Sequence, residues 1–519
     1  MAKNKKNQPK PFKKSAITLA EFRSSHFLGK GFNTDMYYVG FANTLYPILK
    51  KMIGENSKFS DAAVRNLVLN LVCYLEDLVS QTGVWEAFVS LHKKKYGREM
   101  PFFDTDDEYY SREFPCVQAI CFLIWFTLNG YSSDTFLNPC NPFTRIMAEA
   151  LTPMLMDAYD NAPDTPGRPK LLPEDELKVP LFYQIRNLCY WLCTRCYLTR
   201  IRDTESISTQ LEAVASDFFG MEDTSYIKEA YLSFNTKIGP LGIKPQEWLE
   251  EILELYPEEG ENQFIHLVKG LESLPYSIYT YREVRKDGAI LRALNGDEMN
   301  LSAYTMPNLE MPSGVAPGGS AFMSLVLFDG QWMLNGLGMQ GAPAELYQKA
   351  RENWLKNNED RKCTYDLMFK RLKKKRIGIC SGYDDYISMF PEIDRERFMN
   401  VPDDIKNCEN LLYFLNSDST LTFLPKWGRC VKLRGNKFYD KKEAEEDALC
   451  LILDHDLTTP EMRSCLIDNN LVPDAALNSL ESVNAGKTLF QNNIRFLNDY
   501  VGRDGVEVFS EDMNLADEK

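Results

Sequence analysis

The stretch SIYTYREVRKDGAILRALNG, residues 277–296, marks the point where the apolar spacing along the chain changes from helical to strand-like. Aromatic and β-branched residues are enriched in 277–285, and a second apolar run follows at 289–294. Asp287-Gly288 separates the two runs, and Asn295-Gly296 ends the second. Such dipeptides supply the positive φ angles of tight turns, so this stretch predicts an antiparallel hairpin.

A second hairpin is predicted further along the chain. The apolar runs 321–328 and 331–334 flank Asp329-Gly330, and the segment 305–320 is rich in proline and glycine and predicts a loop. The two hairpins together predict a small antiparallel, barrel-like β unit over 273–341.

Helical patterns surround this unit. Ser60 can cap a helix in which Val64, Leu67 and Leu71 recur at helical spacing. The predicted helices are this one and those over 84–96, 117–128, 144–159, 181–202, 206–219, 226–235, 245–256, 344–356, 365–376, 441–455, 460–469 and 489–500. A last hairpin is predicted over 410–416 and 420–424. The fold class is therefore α+β, with a mostly α-helical N-terminal half, a central small antiparallel β unit and a C-terminal α+β part.

The length of 519 residues corresponds to about three or four domains. Five prolines between 163 and 180 predict a linker because proline interrupts helices. The predicted units are a basic disordered tail (1–24), a helical domain (25–160), a Pro-rich linker (161–180), a helical region (181–272), the antiparallel β unit (273–341), a helical connector (342–400), a C-terminal α+β region (401–510) and an acidic tail (511–519).

The formal net charge of −15 is unevenly distributed. Residues 1–14 carry six lysines and no acid, which leaves 53 basic against 74 acidic residues, a net charge of −21, in the rest of the chain. A body this acidic repels polyanions, so broad phosphate binding is not expected.

Thirteen cysteines are scattered through the chain, several within apolar runs, and they predict buried thiols in a reducing compartment. No apolar segment follows the basic N-terminus, so no secretory signal is predicted. The longest apolar run, 116–128, is too short to cross a bilayer. We therefore expect a cytoplasmic protein without a membrane partner.

Two motifs suggest cofactors but fail on context. GLGMQG at 336–341 has the spacing of a dinucleotide-binding loop, yet its strand pairs backwards through Asp329-Gly330 instead of entering a parallel unit. Cys189, Cys193 and Cys196 have the spacing of an iron–sulfur loop, but they share one face of a predicted helix and are expected in the core. The sequence predicts no cofactor.

Histidine is scarce, and no metal site is predicted. The four histidines, His26, His92, His266 and His455, lie far apart without metal-ligand spacing. Asp454-His455-Asp456 resembles part of a phosphohydrolase site but lacks the further ligands, so a solvated helix end is expected there.

Four ionisable residues of the first helical region could converge as acid–base groups. These weak catalytic candidates are Glu76, Asp77, Glu86 and His92. The alternative is a solvated polar helix face.

The segment 370–376 is the one strong basic cluster in the body of the chain. Its helix has an apolar side, so the cations are predicted to face water and could contact phosphate or nucleic acid. The alternative is a solvated face that balances an acidic neighbour. The candidate residues are Lys370, Arg371, Lys373, Lys374, Lys375 and Arg376.

Several stretches resemble one uncharacterised family, mainly from Bacteroidetes, that is catalogued only as a domain of unknown function. They include CYLEDLVSQTGVWEAFVSLHKKKYGREMPFF (73–103), FLIWFTL (122–128), WLEEIL (248–253) and FDGQWMLNGLG (328–338). The resemblance implies one full-length architecture and a bacterial cytosolic setting. It implies no activity, so no functional residue is carried over.

Three functions stay open at this point. The first is a non-enzymatic binding or scaffold protein with an unknown protein partner or a homo-oligomeric state. The second is an enzyme of unrecognised type, with a pocket between the N-terminal helices and the β unit. The third is a nucleic-acid-associated protein that uses the lysine tail and the 370–376 basic helix.

Overall fold

The structure of the chain is a computed structural model. It describes residues 17–26, 29–54, 59–103, 114–131, 136–163, 180–201, 204–220, 224–255, 262–302, 314–393, 401–478, 486–503 and 507–513. The predicted lysine tail and most of the predicted linker lie outside these ranges.

Helices dominate the N-terminal half and recur in the C-terminal part, as expected. They are α1 (Leu19–Arg23), α2 (Asp35–Ile53), α3 (Asp61–Ser80), α4 (Val84–Tyr96), α5 (Val117–Asn129), α6 (Pro142–Asp160), α7 (Leu181–Thr194), α8 (Thr204–Phe219), α9 (Ser225–Phe234), α10 (Pro245–Leu255), α11 (Asn262–Lys269), α12 (Ala344–Arg371), α13 (Tyr383–Ser388), α14 (Asp403–Lys406), α15 (Lys441–Asp447), α16 (Cys450–Leu453), α17 (Pro460–Asp468), α18 (Asp474–Asn478) and α19 (Gly486–Gly502). Strands β1 (Glu272–Arg285), β2 (Gly288–Arg292), β3 (Glu298–Ser302), β4 (Ser320–Phe328) and β5 (Gln331–Ala342) form the central unit, and β6 (Ile377–Cys380), β7 (Leu411–Leu415) and β8 (Leu421–Pro425) form a second sheet. The α+β class is confirmed.

The central unit is a closed barrel with the strand order β1-β2-β3-β5-β4. All pairs are antiparallel except β3 and β5, which run parallel and touch at Leu301 and Trp332. The predicted antiparallel pairing is therefore correct for four of the five strand pairs of the barrel. Strand β3 was not predicted, because Glu298–Ser302 alternates polar and apolar residues over only five positions.

The two faces of the barrel wall pack differently. Tyr279, Tyr281 and Met323 belong to a core inside the barrel. Tyr276 and Phe322 point the other way and join the main core of the helices. The alternation of side chains along each strand thus attaches the barrel to the helical body.

The first hairpin forms as predicted, but Gly288 is not needed there for a positive φ angle. Gly288 has no positive φ angle. A Cβ atom there would lie 2.3 Å from the Leu301 carbonyl oxygen on β3, so close strand approach requires the glycine. At the second hairpin, Asp329 and Gly330 do adopt the expected positive φ angles of 49° and 73°.

Five features differ from the sequence predictions. The helices predicted over 344–356 and 365–376 are one continuous helix, α12. The helix predicted over 181–202 ends at Thr194, and the one over 441–455 is two short helices. Helix α1 lies within the predicted disordered tail, and Glu511–Met513, in the predicted acidic tail, form a helical turn that buries Met513.

The predicted helical connector 342–400 contains a strand. After Leu372 the chain takes positive φ angles at Lys373 (54°) and Lys374 (64°), which end α12. Ile377–Cys380 then pairs antiparallel with β7 and becomes the edge strand of the order β6-β7-β8. A four-residue strand directly after a basic helix is not visible as a separate period in the sequence.

One hydrophobic core runs from Ile17 to Met513 and includes residues of both chain halves. The inner barrel core and a cluster around Tyr386 are separate from it. Among the described helices, none combines the length and apolarity that a bilayer crossing requires. The predicted domain boundaries stay predictions.

Candidate functional sites

The four predicted acid–base residues occupy different places. Glu76 and Asp77 lie in the last turns of α3, whereas Glu86 and His92 lie on α4. All four are buried, so the alternative of a solvated face is wrong. Glu76 and Asp77 line a small cavity together with His26, and neither Glu86 nor His92 lines it.

The Asp77 carboxylate caps the N-terminus of α4. Its Oδ1 accepts hydrogen bonds from the backbone N–H groups of Gly83 (2.8 Å) and Val84 (3.1 Å), and its Oδ2 accepts one from Trp85 (2.7 Å). The Tyr197 hydroxyl donates a further one at 2.9 Å. Burial raises the pKa of Asp77 to about 6, although these hydrogen bonds oppose the shift. The residue thus links α3, α4 and the segment after α7.

His92 is a core histidine. Its Nδ1–H donates to the Arg98 carbonyl oxygen at 2.6 Å, and its ring packs against Tyr96 and Phe496. Burial lowers the pKa of His92 to about 4, so the imidazole is neutral near pH 7. This environment favours a structural role.

His26 is the residue that the sequence alone did not connect to this region. Its Nε2 lies 3.0 Å from Glu76 Oε2, and its Nδ1 lies 2.9 Å from the Lys30 carbonyl oxygen. The side chains of His26 and Glu76 are only 8% and 9% exposed. Fifty residues separate the pair, and neither has a spacing motif that could have announced it.

Asp35 completes a cluster with His26 and Glu76, in which one ligand atom of each residue lies within 4.8 Å of the others. Asp35 is the first residue of α2, and its Oδ2 accepts hydrogen bonds from Arg23 Nε (2.5 Å) and from the Phe32 backbone N–H (2.8 Å). The three groups therefore come from three segments that the packing of α1, α2 and α3 brings together.

The cavity beside this cluster has a volume of about 50 Å³. Its described lining comes from the N-terminal segment, from α3, from the start of α4 with the loop before it, and from the region around α7. No residue of the barrel is among the described lining residues, which are Ser25, His26, Phe32, Cys73, Glu76, Asp77, Thr82, Val84, Trp191 and Tyr197. The Cys73 Sγ atom lies 3.2 Å from the Ser25 hydroxyl, and burial raises the pKa of this thiol to about 12. Cys73 is thus a protonated thiol and not an activated nucleophile.

The motifs that were set aside have structural roles. The glycines of 336–341 lie inside β5, and a Cβ on Gly338 would come within 2.9 Å of Met323 on β4. Cys189 and Cys193 on α7, with Cys196 just beyond it, are buried, and burial raises the pKa of all three thiols. Asp454, His455 and Asp456 can also approach one another, but all three are exposed.

A second site lies in the C-terminal part, where a groove of about 740 Å³ runs along β6. All four residues of β6 line it, which indicates that the strand's edge faces the groove. The cations that line the groove come from the segment after α12 and from the loop before α15: Lys374, Lys375, Arg376, Arg434 and Lys437. Asp385 is the one acidic residue in the described lining.

Half of the predicted basic cluster lines the groove. Lys370, Arg371 and Lys373 do not line it, and Arg371 instead pairs with Glu392 at 3.1 Å. Arg376 lines the groove but is engaged by Glu461 and donates to the Leu415 carbonyl oxygen. The other four lining cations are exposed and make no ion pair with any described residue.

Arg434 and Lys437 were missed because the sequence places them among scattered charges, about 60 residues after the cluster. The only local signal is the short basic stretch from Lys432 to Lys437, in a loop held by Asn436, whose side chain donates to the Gly428 and Val431 carbonyl oxygens. Lys437 lies over the Phe438 ring, 5.1 Å from its centroid.

The fold and these sites define an α+β protein in which a closed five-stranded barrel is attached to a helical body. The chain belongs to the family described as "Protein of unknown function (DUF3843)", which it matches over residues 21–276 and 345–503. This match confirms the resemblance to an uncharacterised family. It leaves out 277–344, which holds β2 to β5 and most of β1. No curated protein and no solved structure matches the chain.

Proposed function

We propose that this is a binding protein whose ligand is a phosphate-bearing anion, either a nucleotide or a short stretch of nucleic-acid strand, held in the groove along β6. The observation that carries the proposal is the convergence of five cations from two chain segments on one concave surface. Guanidinium and ammonium groups are the usual protein partners of phosphate.

Charge and size both favour this ligand. The body of the chain outside residues 1–14 has a net charge of −21, so the four exposed cations without a carboxylate partner among the described residues form a local positive surface that an anion can use. A groove of about 740 Å³ lies within the range of small-molecule and cofactor sites. The half-buried Phe438 ring lines the groove and offers a surface on which a base can stack.

The test is fluorescence anisotropy with labelled single-stranded DNA and RNA of about 16 nucleotides, measured over a range of salt concentrations. ATP, pyrophosphate and polyglutamate serve as competitors. We expect binding that weakens with salt and that phosphate compounds displace better than polyglutamate does. Displacement by ATP at low concentration would identify a nucleotide site, and displacement only by oligonucleotides a strand site.

The decisive variant is Lys374→Gln/Lys375→Gln/Arg434→Gln. Its matched control is Lys349→Gln/Lys356→Gln/Lys370→Gln, which removes three exposed charges of α12 outside the groove. We expect the groove variant to bind at least about tenfold more weakly, with a salt slope lower by about 2, since each strand phosphate contributes about 0.7. Equal losses in both variants, or no salt-dependent binding by the wild type, would contradict the proposal.

The same binding experiment also tests whether the lysine tail contributes to binding. Its six lysines lie outside the described residues, and deletion of residues 1–14 measures what they add. If the tail alone binds the ligand, this deletion abolishes binding and the groove variant does not.

The cytoplasm is the compartment that we propose for the protein. All thirteen cysteines are free thiols, and eight of them are buried. This pattern is typical of a reducing environment. A protein partner or a homo-oligomeric state is also still a prediction, and size-exclusion chromatography with light scattering, with and without the oligonucleotide, measures it.

A further inference from the structure

The cluster of His26, Asp35 and Glu76 carries an inference that is independent of the groove. The three residues lie after α1, at the start of α2 and near the end of α3, and each is less than 9% exposed. One ligand atom of each lies within 4.8 Å of the others. Imidazole and carboxylate groups at such distances can share one metal ion.

The contacts of His26 determine which nitrogen faces the cluster. A carbonyl oxygen only accepts, so the 2.9 Å contact with Lys30 requires that Nδ1 carry a proton. In the neutral ring, Nε2 then presents a lone pair to Glu76 Oε2 at 3.0 Å. Two lone pairs at this distance require a proton or a cation between them. A hydrogen bond from Nδ1–H to a backbone carbonyl oxygen is also a usual way in which proteins orient a metal-binding histidine.

Asp35 gives a second and independent indication. It is fully buried, and its Oδ1 has no hydrogen-bond partner within the part of the chain that the structure describes. Its Oδ2 is held by Arg23 and by the Phe32 backbone N–H. An orphaned carboxylate oxygen is expensive in the interior unless a cation or water contacts it.

The cavity supplies the remaining feature of an open metal site. His26 and Glu76 both line it, and its volume of about 50 Å³ is sufficient for a few water molecules. Three candidate ligands beside a space large enough for water would leave coordination positions open, as in catalytic and not in closed structural sites.

We propose that His26, Asp35 and Glu76 bind one divalent first-row transition-metal ion, such as Zn²⁺ or Mn²⁺, whose open positions face the cavity. The mixed nitrogen and oxygen donors favour such an ion over Mg²⁺ or Ca²⁺, which prefer oxygen ligands alone.

The test begins with full-length protein that has been treated with a chelator and titrated with Co²⁺, whose visible absorption reports coordination, and with Zn²⁺ as competitor. We expect one equivalent to bind. Glu76→Gln and Asp35→Asn should each lower the affinity at least tenfold. His455→Ala is the matched control, because it alters the exposed Asp454-His455-Asp456 group and should leave the buried site unchanged.

Circular dichroism shows whether each variant is folded, because Asp35 also holds Arg23. X-ray absorption of the Zn²⁺-loaded wild type gives an answer that does not depend on any variant, and we expect nitrogen and oxygen ligands without sulfur. The proposal is overturned if the wild type binds no stoichiometric metal, if folded Glu76→Gln binds as tightly as the wild type, or if the spectrum shows sulfur ligands.

Discussion

At the scale of single residues, burial decides what the ionisable groups do. Asp77 and His92 are both buried, yet their surroundings differ. Asp77 accepts three backbone N–H groups and a tyrosine hydroxyl, whereas the surroundings of His92 are largely aromatic. The sequence marks both as candidates for acid–base chemistry. Their contacts assign Asp77 to capping and His92 to packing.

His92 makes the stability of the protein depend on pH. Burial lowers its pKa from 6.5 to about 4. Between these two pH values, His92 is therefore protonated in the unfolded chain and neutral in the folded chain. Its contribution is therefore complete above pH 6.5 and is lost as the pH falls towards 4. The expected loss is about 1.4 kcal/mol per pH unit, or about 3 kcal/mol in all.

Urea unfolding of the wild type and His92→Gln between pH 4 and 8 measures this effect. The difference in stability between the two proteins at pH 8 is the baseline. It should shift in favour of the variant as the pH falls, because glutamine does not titrate. Parallel profiles would show that His92 is not the titrating group.

At the scale of elements, the end of α12 shows how local backbone geometry changes the topology. Propensity favours a helix up to Arg376, because residues 370–376 are lysines, arginines and one leucine. The helix ends earlier because pairing of Ile377–Cys380 with β7 completes a sheet, and the chain turns through left-handed conformations at Lys373 and Lys374 to reach it. Tertiary pairing overrides local propensity here.

This turn predicts opposite signs for two glycine substitutions. Lys373→Gly should stabilise the protein by about 0.5 to 1 kcal/mol, because glycine adopts positive φ without the penalty that lysine pays. Lys370→Gly, three residues earlier inside α12, should destabilise it by about 1 kcal/mol. Thermal unfolding of both variants measures the pair, and neither residue lines the groove. Destabilisation by both would mean that the chain does not turn at Lys373.

At the scale of the whole molecule, the C-terminal segment joins the barrel to the helical body. The Tyr276 backbone N–H donates to the Val508 carbonyl oxygen, and the Ser510 N–H donates back to Tyr276, each at 2.9 Å. Trp354 of α12 donates to Asp512 at 2.6 Å. The segment thus contacts both β1 and α12, although the sequence predicts an acidic tail from residue 511.

Two truncations test whether the described C-terminal segment, residues 507–513, stabilises the protein. Deletion of residues 507–519 exposes the pockets of Val508 and Met513, and it should cost about 4 kcal/mol, since burial of each side chain contributes about 2 kcal/mol. The matched control is deletion of residues 514–519, which leaves all of these contacts in place. Equal stability of both truncated proteins would contradict a stabilising role for residues 507–513.

Sequence periodicity was sufficient for much of the fold. Most predicted helices, both barrel hairpins and the hairpin of β7 and β8 are present, because each depends on apolar spacing and turn residues within a short window. Strands β3 and β6 were missed because each is only four or five residues long. In addition, β6 pairs with β7, which lies far along the chain.

The sequence by itself determined the α+β class, the helical N-terminal half, the β unit and the basic cluster, since all of these are local patterns of side-chain type. Only the tertiary structure decided that His26, Asp35 and Glu76 meet, and that Arg434 and Lys437 join Lys374 and Lys375 in one groove. Glu76 lies 41 positions from Asp35 and 50 from His26, and Arg434 lies 60 from Lys374, so neither site has a local signature. The geometry of each site arises from helix and strand packing, which brings distant side chains into the same few ångströms.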